Sequence, residues 1–506
     1  MLEYAEIPRA QTAPLVPDRF NLAAYVLEDS AARLPDKIAL QILKLSGAER
    51  WSYARLIAAV QGVASGLTAL GLPPQAPILL RLGNQVEFAL TYLGAIAAGF
   101  VPVLTSARLA QAEITAMAAG VSPALVVAAE GIALPDHPAR VISAQDIRAM
   151  EQLPPQPFVM GNPDRLAYVV FTSGSAGAPR AVAHAHRSIL GLEVIQAGGQ
   201  GVSEADRLLH AGALDGAYGL HTGLLEPWRK GATALIPAEG LGVAQLPLLL
   251  KRFDATILAA APHVYRQLLD LGLPSLPRLR LGLSSGDSLA VETQAAWTAA
   301  TGTPLHDTFG LSEWSSFVTV SAVGQSLPDT QCGRHLAALG DDLKPVPCGA
   351  AGQMAIKADD AGLMLGYFDA IDPATPRYDL PVQAGWFLTG DMVSIAEDGA
   401  VTYLGRYDDQ MKLGGIPVFP PEVEAAFADF AGMTGCAVVE YRLDAGTSVI
   451  ACFYTADAPL DAAALQAHAE TRLDSDKQPR LYRHIAALPL GATAKLNRRM
   501  LRLERP

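Results

Sequence analysis

The stretch FTSGSAGAPR (Phe171–Arg180) follows the apolar run LAYVV and sets Thr172, Ser173, Gly174, Ser175 and Gly177 ahead of the cation Arg180. Backbone N–H groups of a Gly/Ser/Thr loop, with hydroxyls and one positive charge, suit the oxygens of a polyphosphate. No GxxxxGK[ST] sequence occurs there, so it is not a Walker loop. On its own, a strand followed by SGSAG fits a plain turn equally well.

A second stretch suggests a different chemistry. GLSSG (Gly282–Gly286) satisfies G-x-S-x-G between an apolar run and a helical pattern, the setting of a hydrolase nucleophile at Ser284. His306, His335, His468 and His484 are the downstream bases that a triad would draw on. His184 and His186 have the look of a metal pair, but no third ligand is spaced to join them. His210 reads as structural.

These groups need elements to hold them. LAYVVF, ATALIP (Ala232–Pro237), ATILAA (Ala255–Ala260) and LRLGLS (Leu279–Ser284) read as strands buried on both faces. PHVYRQLLDLG and LAVETQAAWTAATG carry helical spacing and end on glycine. Strands interleaved with helices imply a doubly wound, mostly parallel sheet, whose ligands sit at the carboxyl ends of strands. Residues 350–406 are rich in Gly and Asp, with a turn signal at Asp398-Gly399, and predict antiparallel, β-barrel-like structure closing a large domain. PPEVEAAFADF, CAVVEYR, SVIACFYT and the helical pattern after Asp461 predict a small α+β domain. The expected division is 1–406 and 407–506.

Composition bounds the function classes. The chain has 506 residues, half of them apolar and 17% charged, with a net charge of −12. That length predicts more than one core, and that charge argues against nucleic acid or anionic membrane as a general partner. Phe88–Leu104 is apolar but broken by Thr91, Gly94, Gly99 and Pro102, so it reads as helix, turn and strand rather than a membrane span. The cysteines Cys332, Cys348, Cys436 and Cys452 form no CxxC pair and read as packed thiols, which with the absence of a leader pattern predicts a cytoplasmic protein.

With its neighbours, the glycine–serine loop resembles that of the adenylate-forming superfamily of acyl- and aryl-CoA synthetases, amino-acid adenylation domains and luciferases. FGLSE (Phe309–Glu313) resembles its aromatic-Gly-x-Thr-Glu motif. GWFLTGD (Gly385–Asp391) and GRYDDQMKLGGIPVFPPEVE (Gly405–Glu424) resemble the motifs that flank its domain junction, and LPLGATAKLNRRML (Leu488–Leu501) its C-terminal lysine motif. All five occur in family order. The spacing of DRLLHAGALDGAYGLHTGLLEPWRKGATALI (Asp206–Ile236) is similar to that of benzoate-type CoA ligases.

The resemblance implies ATP, Mg²⁺ and CoA as reactants and cofactor, and a small carboxylic acid, aromatic first, as substrate. It implies that Thr172–Gly177 hold the β- and γ-phosphates, that Arg180 and Glu313 are catalytic and Glu313 helps ligate Mg²⁺, and that Ser312 lies near the α-phosphate. Adenine is expected against Ser285, Gly286, Asp287, Ser288, Asp307, Thr308, Phe309 and Gly310. Asp391 would accept both ribose hydroxyls, with Arg406 nearby; its plainer alternative is a turn aspartate. Ala217, Tyr218 and Thr308 would line the acid pocket, with Tyr218 as a core tyrosine the bland alternative. Asp215 is unexpected near such a pocket and reads as solvent-facing. Lys495 would be the catalytic cation and Asp408 the hinge of a mobile lid, although a solvated cluster with Arg498, Arg499 and Arg502 is the ordinary meaning of such a charge run.

The sequence departs from the family pattern at Arg180, usually a lysine, at Ala176, usually Thr or Ser, and at Ala181 and Ala494, usually glycine. A carrier protein as thiol acceptor, the Ser284 hydrolase and a non-catalytic nucleotide binder stand as rival readings. Assembly is left open, a homodimer included.

Overall fold

A computed structural model describes the chain except for residues 1, 9–14, 173–178, 192–200, 288, 315–316, 322–333, 370–376, 414–415, 444–447, 490–495 and 504–506. It divides into two compact units: Pro8–Arg334 with Ala358–Pro381, and residues 1–7, 335–357 and 382–506.

The larger unit holds two eight-stranded sheets. The first runs Phe317–Ser321, Leu305–Gly310, Leu281–Ser285, Ile257–Ala260, Arg207–His210, Thr233–Pro237, Ile38–Lys44 and Gly47–Ser52; its six inner strands are parallel and both edge strands antiparallel. The second runs Arg377–Asp379, Gly366–Asp369, Arg180–Ala185, Leu166–Thr172, Val101–Leu104, Pro77–Arg81, Leu125–Ala128 and Arg140–Ser143. Its last five are parallel. Strands such as Ile257–Ala260, Thr233–Pro237 and Val101–Leu104 are buried throughout, which is why they read as continuous apolar runs rather than alternating ones.

The helices fall where the sequence signals them. Val86–Ala98 is buried along nearly its whole length and stops at Gly99, whose φ of 81° is left-handed; the strand Val101–Leu104 follows. Pro262–Leu271 begins on proline, and Val291–Thr301 ends at Gly302. Among the described residues no helix is long and apolar enough to cross a membrane.

The smaller unit contains an antiparallel sheet of Glu6–Ile7, Leu336–Leu339, Ala351–Lys357, Trp386–Ile395 and Val382–Gln383, with Val401–Arg406 also on Trp386–Ile395. A three-stranded sheet, Met433–Arg442, Ser448–Ala456 and Leu481–His484, carries the short helix Pro420–Ala426, Ala462–Arg472 and the terminal Arg498–Leu503. The first two strands bury Val438, Ile450 and Cys452 on one face and Ala437, Val439 and Phe453 on the other. The two-part α/β and α+β architecture expected from the sequence is therefore present. One part of residues 350–406 behaves differently from expectation. Gly366–Asp369 and Arg377–Asp379 join the larger unit's second sheet, because Gly366 and Tyr367 pair with Ala183 and Val182.

Two features of these cores generate measurable behaviour. Glu424 holds the terminal helix by a two-oxygen grip on Arg498 (2.5 and 2.7 Å) and accepts the Val438 N–H (2.8 Å). Removing the cation leaves a mostly buried carboxylate without its partner, so Arg498→Ala is expected to lower the smaller unit's stability by about 3 kcal/mol. Denaturant unfolding followed by hydrogen exchange in Met433–Ala456 reads this directly. In the larger unit His184, His186 and His221 are buried, and burial pushes them down to about 4, about 3 and about 3. They are neutral when folded and charge on unfolding. Their stability is thus complete above pH 6.5 and lost as pH falls below it, with a slope of up to about 1.4 kcal/mol per pH unit for each. Urea midpoints at pH 7.5, 6.0 and 5.0 should fall in that order, and His186→Gln should flatten the series.

Candidate active site

The carboxyl ends of parallel strands gather the groups singled out in the sequence. Leu166–Thr172 ends at Thr172, which lies across from Arg180 at the open end of an antiparallel pair. Ser173, Gly174, Ser175 and Gly177, expected to cradle phosphate, lie between them, outside the described residues, as does Ala176. Arg180 is exposed, and its guanidinium carbon stands 3.1 Å from the centre of the Tyr367 ring.

Glu313 sits on the short turn Ser312–Trp314. Its carbonyl accepts the Met364 N–H (2.9 Å), while His184 Nε2 hydrogen-bonds the Ser312 carbonyl (2.8 Å). The Tyr367 hydroxyl donates to Glu313 Oε1 at 2.9 Å. Beneath the turn, buried Trp314 donates to Asp360 Oδ1 (2.6 Å), which also accepts from Gly362 N (2.7 Å) and Arg334 Nη1 (3.3 Å). The Arg334 guanidinium covers the Trp314 ring at 4.0 Å. A buried ion pair, whose Asp360 Oδ1 takes three donors, thus fixes the floor under Glu313.

A second cluster forms where Leu281–Ser285 meets Leu305–Gly310. Thr308 Oγ1 donates to the Ser284 carbonyl (2.6 Å), and Ser285 Oγ donates to the Thr308 carbonyl (2.9 Å). Tyr218, at the start of the turn Ala217–Leu220, donates to the Leu283 carbonyl at 2.9 Å, and its ring meets His210 edge-on at 4.8 Å. Gly219 follows because a Cβ there would lie 1.9 Å from the Ala213 carbonyl oxygen. Burial raises Asp307 to about 6, against two backbone hydrogen bonds that favour its charged form. Gly286 turns away with φ 96°, and Asp287 follows; Ser288 lies outside the described residues. Phe309 is half-buried and Gly310 exposed, at an irregularity in the pairing with Phe317–Ser321. Tyr218 and Thr308 thus both bond carbonyls near the end of Leu281–Ser285, and Ala217 precedes Tyr218 in the chain.

Asp215, expected to face solvent, is half-buried. It lines a small surface depression with Ser106, Arg108 and Glu239, and burial raises its pKa against a Ser106 hydrogen bond.

In the smaller unit Asp391 is 2% exposed and pairs with Arg406 (3.0 Å), its partner in register on the neighbouring strand. Gly390 must be glycine: its φ is 75°, and a Cβ would fall 2.8 Å from Arg406 Nη2. Asp408 is exposed on the turn Tyr407–Asp409 that follows Val401–Arg406. Lys495 lies outside the described residues.

The hydrolase geometry is not built. Ser284 is fully buried within a strand rather than displayed on a strained turn, and its side chain shares a face with Asp307, not with His306. His335, His468 and His484 bond Glu6, the Ala426 carbonyl and the Ala456 carbonyl. His184 and His186 do not make a metal pair either: His186 Nδ1 accepts the Leu22 N–H (3.0 Å), and no group of three metal-ligating side chains occurs among the described residues. Sequence reasoning missed Tyr367 and the Trp314–Asp360–Arg334 floor. The only signal was an aromatic after Gly366 in a segment read as part of another sheet.

Residues 27–368 match the family described as AMP-binding enzyme. The chain is 26% identical to a 3-hydroxybenzoate–CoA ligase of Aromatoleum sp. (strain CIB), over 90% of this chain and 92% of that one. It is also 26% identical to a benzoate–CoA ligase of Thauera aromatica, over 99% of both. A benzoate CoA ligase structure from Burkholderia xenovorans LB400 superposes with a TM-score of 0.82 at 25% identity, covering 96% of this chain and 100% of that chain. A family match spanning more than half of the sequence, on a site of this make-up, makes the chain a member of the AMP-binding enzyme family.

Proposed function

We propose that the chain is an ATP-dependent carboxylic acid–CoA ligase acting on an aromatic or other small acid. It is an AMP-forming acid–thiol ligase. A carboxylate oxygen attacks the α-phosphorus of ATP and pyrophosphate leaves; the CoA thiol then attacks the acyl carbon, releasing AMP and its own proton. The first step drives an anion against a polyanion, so cations and preorganised donors dominate its catalysis.

The observation that carries this reading is the placement of Arg180 and Glu313 around Tyr367 beside the glycine–serine loop. Arg180 and Thr172–Gly177 take the β- and γ-phosphates, and Ser312 lies near the α-phosphate. Glu313 suits Mg²⁺, since its Oε2 bonds no described residue and a carboxylate oxygen plus substrate phosphates is the usual coordination. That ion would screen the phosphate charge that repels the incoming carboxylate. Asp391, held by Arg406, offers a carboxylate to paired ribose hydroxyls. Ser285–Ser288 and Asp307–Gly310 take adenine.

An aromatic acid is favoured by Ala217, Tyr218 and Thr308. Because the Tyr218 hydroxyl is tied to a backbone carbonyl, the residue has mainly its flat ring to offer a pocket. The named activities of the similar ligases agree with this substrate class. Reduced thiols at Cys348, Cys436 and Cys452, and cytosolic co-substrates, favour a cytoplasmic setting.

Lys495 supplies the mobile point charge for the first step. The moving part is residues 407–506, hinged at Asp408, because one lid cannot serve two chemistries without turning. Acid-dependent ATP–pyrophosphate exchange over aromatic, short-chain, fatty and amino acids tests the reading, and it should be strongest with an aromatic acid. Lys495→Ala should abolish exchange while leaving thioester formation from preformed acyl-adenylate largely intact; equal loss of both contradicts the role. Asp408→Pro should slow the two half-reactions unequally in stopped-flow assays, and equal slowing removes the hinge.

A further inference from the structure

Arg180 lies over the face of the Tyr367 ring and Glu313 accepts from its hydroxyl, yet no salt bridge joins the two charges. Had they paired, each would have spent its charge on the other. Tyr367 contacts both groups. It lies across from Val182, so its side chain shares the sheet face on which Arg180 projects two residues away. The ring accepts the guanidinium on its face, an attraction that leaves the charge un-neutralised. The hydroxyl donates to one oxygen of Glu313, which orients the carboxylate and leaves the other oxygen with no bond to a described residue.

We propose that Tyr367 is a positioning residue that holds Arg180 for the phosphates and Glu313 for the divalent cation of a metal–nucleoside triphosphate. The assignment also accounts for arginine where the family resemblance has lysine. A planar guanidinium lies flat against an aromatic face and keeps its edge donors for oxygens, which a compact ammonium does not. The inference rests on the ATP-binding reading, and it concerns substrate placement rather than the acid or the thiol.

The test uses the full chain with Tyr367→Phe and Tyr367→Leu, alone and combined with Arg180→Lys. Binding of ATP is measured by calorimetry with Mg²⁺ and with chelator; the Mg²⁺ dependence of acid-dependent pyrophosphate exchange and thermal unfolding are followed alongside. Phenylalanine keeps the ring and removes the hydroxyl. It should raise the half-saturating Mg²⁺ concentration about tenfold, leaving metal-free ATP affinity within about twofold. Leucine removes both contacts and should also weaken metal-free ATP several-fold. Arg180→Lys should weaken ATP in the native background and cost little more beside Tyr367→Leu, since the stack is already gone.

The proposal is overturned if Phe and Leu variants match the native protein in Mg²⁺ dependence and ATP affinity. It is equally overturned if both variants lose metal-free and metal-bound affinity alike in step with a lowered unfolding temperature. Native protein that binds MgATP and shows the variant pattern, but exchanges pyrophosphate with no acid, would sink the ligase reading and leave this assignment standing.

Discussion

Opposite charges must stand close together here without cancelling. On the ATP-binding reading proposed above, Arg180 would serve the polyphosphate and Glu313 would hold the divalent metal. Arg180 is exposed and Glu313 half-buried, and their opposite charges attract each other. An aromatic ring with a hydroxyl at its edge resolves the conflict: its face satisfies the cation and its edge the anion. The rest of the larger unit can be understood as what keeps that ring, and the two groups it separates, in fixed places.

The second sheet does most of this. Arg180 begins a strand whose register against Gly366–Asp369 sets the distance to Tyr367, and whose register against Leu166–Thr172 sets Thr172 opposite. Glu313 arrives separately, on a turn too short to be rigid by itself. Its position is imposed from outside by His184 on the Ser312 carbonyl, Met364 on its own carbonyl, and the Trp314–Asp360–Arg334 assembly below. Burial keeps His184 neutral, and the Ser312 carbonyl fixes its tautomer, because Nε2 must carry the proton it donates. It is also stacked on Tyr168 at 4.8 Å, so the same strand pair that presents Arg180 and Thr172 fixes the support for Glu313.

The sequence was readable where chemistry and burial leave local marks. Strands such as Ile257–Ala260 are apolar on both faces because helices cover both sides, and Gly99 and Gly302 mark helix ends because only glycine is comfortable there. The chemical motifs were legible because each packs several constrained residue types into a few positions. Tyr367 was not, since its meaning comes from pairing with a strand more than 180 residues earlier. GLSSG misled for a related reason. The pattern states composition, whereas a nucleophile elbow requires a strained, exposed serine, and Ser284 is an extended strand residue with no exposure. Antiparallel pairing after residue 350 was foreseen, but which sheet the strands join is a long-range matter that turn signals do not encode.

The exchange of lysine for arginine at position 180 illustrates how a departure from a motif is judged by its surroundings rather than by similarity of charge. A lysine ends in a strongly hydrated point charge that needs an oxygen partner to be held. An arginine can instead be held through its planar face by apolar area, with its N–H edge still free to donate. Tyr367 offers that area, on a strand whose neighbours Gly366 and Phe368 are buried. The cation is therefore held without a salt bridge to a described carboxylate, and on the proposed reading its charge stays available to phosphate. The same logic implies that position 180 and position 367 are a single unit of function: an arginine without the ring would seek Glu313, and the ring without a planar cation would keep only its hydrogen bond.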